Sequence, residues 1–85
     1  MAFYLDSIEQ IKGETEGTIT EYGKREKKNT YESALTAFYT ALGNISNDLI
    51  TPETPDNNHY FMDLRIVDGK GGVLKRDALG THQEA

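Results

Sequence analysis

The chain has 85 residues, fourteen carboxylates against nine cations, a formal net charge of −5 and no cysteine. That length holds one small domain, 1–85, with a thin core. The lack of cysteine excludes disulfide staples, thiol nucleophiles and thiolate metal sites, and fits a reducing, cytoplasmic home.

No run approaches the roughly 20 apolar residues that span a bilayer. The opening MAFYLDSIEQ lacks the basic-then-apolar pattern of a secretory signal. Residues 2–28 read as a hairpin. Tyr4, Leu5, Ile8 and Ile11 fit a helical stripe, while Phe3, Leu5, Ile8 and Ile11 equally make a strand with a bulge near Asp6 and Ser7; the short turn between two extended runs favours the strand. KGETEG turns the chain, and TITEY begins the return strand with β-branched and aromatic residues.

A helix follows over 30–49. Tyr31, Leu35, Phe38, Leu42, Ile45 and Leu49 alternate in steps of four and three, which places them on one stripe, widened by Ala34 and Ala41. Asn29 with Glu32 fits a capping box, and Thr30 competes as the cap one residue later. TPETPDNN holds both prolines and forms a loop over 50–58.

A second hairpin spans 59–79. Tyr60, Met62, Leu64 and Ile66 share an apolar face, while Phe61, Asp63, Arg65 and Val67 share the other. VLKRDAL returns beside it, and 80–85 is a polar tail. The expected architecture is α+β, a two-layer ββαββ domain: one four-stranded antiparallel sheet with a single helix packed on one face.

The glycine-rich VDGKGGV invites comparison with a phosphate loop. Lys70 follows Gly69, but neither Ser nor Thr comes next, and a strand follows instead of a helix. Leu74 stands where a dinucleotide motif needs its third glycine. The glycines therefore serve a hairpin turn. His59 and His82 lack a His or Cys partner at ligand spacing, so neither metal nor other cofactor is expected. Ser7, Ser33 and Ser46 sit in no nucleophile motif, so no enzyme is expected and no catalytic residue is assigned.

What remains is the sheet face without a helix. Phe61 and Val67, joined by Phe3 or Tyr4, are the candidate interface residues of a non-catalytic interaction module, a homodimer or a binder of another protein through that face or a strand edge. One alternative is a nucleic-acid-binding module using the run Lys24, Arg25, Lys27 and Lys28 with Lys70, Lys75 and Arg76. The acidic overall charge opposes it. Another is an acidic inhibitor or accessory protein, of the kind bacteria and phages carry, that docks on a basic partner through Asp6, Glu9, Glu14, Glu16 and Glu21.

Overall fold

The computed structural model describes residues 2–80, and residues 81–85 of the expected tail lie outside them. In chain order the elements are β1 (Phe3–Lys12), β2 (Ile19–Lys28), α1 (Tyr31–Ser46), β3 (His59–Asp68) and β4 (Val73–Gly80). The strands form one antiparallel sheet in the order β2-β1-β3-β4. The ββαββ architecture expected from the sequence is the one observed. Each hairpin contributes one central and one edge strand.

The helix begins at the competing cap. Thr30 is extended, its hydroxyl accepts from the Ser33 amide at 3.1 Å, and the Ser33 hydroxyl accepts from the Thr30 amide at 3.4 Å. Ser33 thus returns the second bond of the box, the role expected of Glu32 toward Asn29. The helix ends at Ser46, earlier than its apolar stripe suggests, because the chain is drawn into pairing with β3. The His59 amide donates to the Asp48 carbonyl at 3.0 Å and the Ile50 amide to the His59 carbonyl at 2.8 Å. Leu49, the last stripe residue, leaves the helix yet still packs at the margin of the core.

The core joins Ala34, Phe38 and Ile45 of α1 to Leu5 of β1 and Met62, Leu64 and Ile66 of β3. Phe38, Leu64 and Ile66 are the large side chains sealed from solvent. Ala34 and Ala41 let the helix approach the sheet, with Leu35 and Leu42 flanking.

β1 corrects one expectation. It runs without a bulge at Asp6 and Ser7; the irregularity falls between Gln10 and Ile11, in the pairing with β3. Strict alternation therefore puts Phe3, Leu5, Ser7 and Glu9 toward the helix and Tyr4, Asp6, Ile8 and Gln10 on the opposite face. Ile8 is not a core residue. It is 44% exposed.

The second glycine loop is a turn of a self-contained kind. Gly71 takes φ +88°, which suits glycine. The Asp68 carboxylate accepts the amides of Lys70 and Gly72, both at 2.8 Å. Those amide bonds hold its pKa below the usual aspartate range. The amides that a phosphate would use are thus occupied by the loop's own anion.

Candidate interaction surface

The face turned away from α1 is read most simply as rows across the strands. In the order β2-β1-β3-β4, one row is Lys27, Tyr4, Val67 and Val73. The next is Arg25, Asp6, Arg65 and Arg76, and then Gly23, Ile8, Asp63 and Ala78. A fourth is Glu21, Gln10, Phe61 and Gly80. Cross-strand neighbours share a face, so the register alone fixes this arrangement.

Three arginines thus lie in one row, each beside a carboxylate. Arg25 grips Asp6 in a fork, with both contacts at 2.7 Å, and its guanidinium lies 4.7 Å from the centre of the Tyr4 ring. Arg76 donates to Asp63 at 2.8 and 3.2 Å, and Arg65 reaches the same carboxylate at 3.5 Å. Asp63 is only 7% exposed. The Arg76 bonds, then those of Arg65, hold its pKa below the usual range despite burial, so it stays ionised. Without it, Arg65 and Arg76 would face each other as like charges on adjacent strands.

A depression of about 420 Å³ opens around Ile8, with Gly23 beside it and Asp6, Arg25, Asp63 and Arg65 among its lining residues. Gly23 creates the gap. It is not in the left-handed region, and a Cβ there would find its nearest neighbour, the Ser7 carbonyl oxygen, at 3.5 Å. Nothing in the monomer demands glycine at this point.

The four candidate interface residues separate. Tyr4 and Phe61 stand half-buried on this face. Val67 stands there too but is 6% exposed, flanked across the strands by Tyr4 and Val73, so little of it is left to bury. Phe3 lies on the helix side, edge-on to Tyr31 at 5.9 Å between ring centres. It belongs to the margin of the core.

The basic set is divided as well. Strand alternation sends Arg25 and Lys27 to the open face and Lys24 and Lys28 to the helix side, where both meet Glu26 at 2.7 and 3.4 Å. Lys75 lies over Phe38 and Tyr39, 5.5 and 5.3 Å from their ring centres, and Lys70 sits in the turn. Only Arg25, Lys27 and Arg76 share the open face, and Arg65 joins them. Arg65 was visible in the alternation of β3, but it stands apart in sequence from the basic run.

The acids do not make one surface either. Asp6 and Glu21 are on the open face, where Glu21 accepts from Gln10 at 2.7 Å. Glu9 is on the helix side, and Glu14 and Glu16 are in the first turn. Glu9 meets Nε2 of His59 at 3.3 Å, while Nδ1 of His59 meets Asp48 at 2.5 Å. The two ring nitrogens point apart, so these carboxylates bracket the imidazole and do not converge on a common point. Among the described residues no His, Cys, Asp and Glu group of three is arranged to hold a metal ion, and no helix is long and apolar enough to cross a membrane.

Comparison of the chain with protein-family models, with curated proteins and with solved structures returns no match.

Proposed function

We propose that this protein is a non-catalytic interaction module whose working surface is the open face of its sheet, and that its first partner is another copy of itself. The observation that carries the reading is Ile8: a large aliphatic side chain at the middle of a central strand, 44% exposed, beside an unfilled depression. Phe61 adds aromatic surface in the next row and Tyr4 two rows away on the same face. Isolated exposed aliphatics are common, but one bordering a gap and flanked by paired charges, with aromatic rings beyond them, fits the centre-and-rim pattern of an interface. The small core makes further burial favourable.

Sedimentation equilibrium over a wide concentration range tests the proposal. The wild-type protein is expected to associate reversibly, and Ile8→Glu to remain monomeric with an unchanged melting curve. A wild-type chain that stays monomeric at about 1 mM, above the range of even weak specific interfaces, refutes it.

A second reading is favoured by the arginine row. Arg25, Arg65 and Arg76 could contact the phosphates of a single-stranded nucleic acid while Tyr4 or Phe61 stacks on bases. Asp6 and Asp63 weigh against it, since they already engage these guanidinium groups and would repel phosphate. Anisotropy of a labelled oligonucleotide decides. Binding at low salt that weakens steeply as salt rises supports this reading, and no binding at low salt rejects it.

A further inference from the structure

Four pairs on the open face of the β1–β2 hairpin share a property. Tyr4 lies beside Lys27, Asp6 beside Arg25, Ile8 beside Gly23, and Gln10 beside Glu21. Each joins unlike partners: a tyrosine and a lysine, an anion and a cation, a projecting side chain and a gap, an amide and a carboxylate, although the cation over the Tyr4 ring is Arg25 of the next row. Consider a two-fold axis parallel to the strands, midway between β1 and β2, in the plane separating two stacked sheets. That operation lays β1 of one copy over β2 of the other and turns each row over onto itself. A row that is complementary within the chain is then complementary between chains.

We propose that two copies stack through the open faces of their β1–β2 hairpins, each Ile8 entering the gap at the other's Gly23. This rests on the self-association reading and specifies its register. Asp6 meets Arg25 of the partner copy, so the two intrachain forks join into an alternating ring of four charges. Tyr4 meets the partner's Lys27, and Gln10 meets the partner's Glu21. The gap explains a glycine that the monomer does not need, in a strand interior that glycine weakens.

Charge selects this axis over the obvious rival. An axis between β1 and β3 would cover more surface and set Asp6 over Arg65. It would also set Arg25 over Arg76 and press Ile8 onto Asp63, bringing like charges together and an aliphatic group onto an ionised carboxylate. The hairpin register avoids both conflicts.

The contact is small. Two strands of ten residues present a face of about 33 by 10 Å, well below the roughly 800 Å² per partner of a standard interface. Twisted sheets touch best near their crossing point, so the Ile8 and Asp6 rows carry most of the contact. The dimer is therefore weak, with a dissociation constant between about 1 μM and 1 mM.

Sedimentation equilibrium on four variants tests the register. Gly23→Val fills the gap, and its Cβ meets only the Ser7 carbonyl oxygen, at an ordinary contact distance of 3.5 Å. It is expected to weaken dimerisation at least about tenfold while leaving the melting curve unchanged or raised. Ile8→Ser removes the projecting side chain and is expected to do the same. Asp6→Arg alone abolishes the dimer, whereas the exchange Asp6→Arg with Arg25→Asp restores it, because the hairpin row is still self-complementary; both are made with Arg65→Gln so that the new arginine does not face Arg65 across β1 and β3. Wild-type association that survives Gly23→Val and Ile8→Ser overturns this register and leaves self-association standing. A monomeric wild type overturns both. An exchange variant that folds but stays monomeric overturns the charge ring.

Discussion

Replacing Phe38 by Ala removes the largest side chain of the helix that the sheet seals completely. Phe38 is 0% exposed at the middle of α1 and packs among Leu5, Leu64, Ile66 and the apolar residues around them. Truncating such a ring costs about 3–5 kcal/mol, combining lost transfer energy with the cavity left behind. A domain of this length has a total stability of about 4–12 kcal/mol, and a core this small argues for the lower half. Phe38→Ala should therefore remove half or more of the total, with a fall in melting temperature of roughly 15–30 °C. Tyr39 is the internal control. It is the next residue, equally aromatic, but 52% exposed. Tyr39→Ala should cost under about 1 kcal/mol. Urea titration followed by circular dichroism at 222 nm measures both, at a low fixed concentration so that association does not contribute. Equal costs for the two variants, or a cost under about 1 kcal/mol for Phe38→Ala, would refute the packing of this helix face on the sheet.

Two other outcomes follow from the structure. A cleft of about 190 Å³ between helix and sheet is lined by Ser7, Ala41, Ile45, Met62 and Leu64 among others. Ser7→Val should stabilise the fold by up to about 1 kcal/mol, since its methyl groups can meet Leu5, Ile45, Met62 and Leu64 on the apolar side of a cleft whose other side is Glu9, Lys24, Glu26 and Asn44, and a β-branched residue suits the strand. A destabilised variant in the same urea titration would mean that the space does not accept them. Asp48 has its pKa depressed, first by its hydrogen bond to His59. A carboxyl lowered on folding stabilises above its unfolded value, and that contribution is lost as pH falls through the folded one. Thermal melts below about pH 4 should therefore fall less steeply with acid for Asp48→Asn than for wild type. Parallel acid limbs would contradict the contact.

The architecture was legible because period and punctuation agreed. The stripe from Tyr31 to Ile45 could only be a helix, the alternation from Tyr60 to Val67 only a strand, and the proline and glycine runs separated them. The cap moved by one residue because Thr30 and Ser33 bond each other reciprocally, a pairing as local as the one expected of Asn29 and Glu32. The candidate site was less legible because it is made by register. Plain alternation turns Ile8, three positions on, away from Leu5. The expected bulge hid it from the open face, and the bulge depends on how β1 pairs with β3. Likewise, Arg25, Arg65 and Arg76 lie far apart in sequence and become one row only when four strands align. The compact basic run proved the weaker guide, since alternation splits any run of adjacent cations between two faces.

The most direct measurement is a ¹⁵N–¹H correlation spectrum recorded over a series of protein concentrations. Association through the open face predicts concentration-dependent shifts at Tyr4, Asp6, Ile8, Gly23 and Arg25, with the helix amides from Glu32 to Ser46 unmoved. Spectra that superimpose from micromolar to millimolar protein, or shifts confined to the helix, would contradict it.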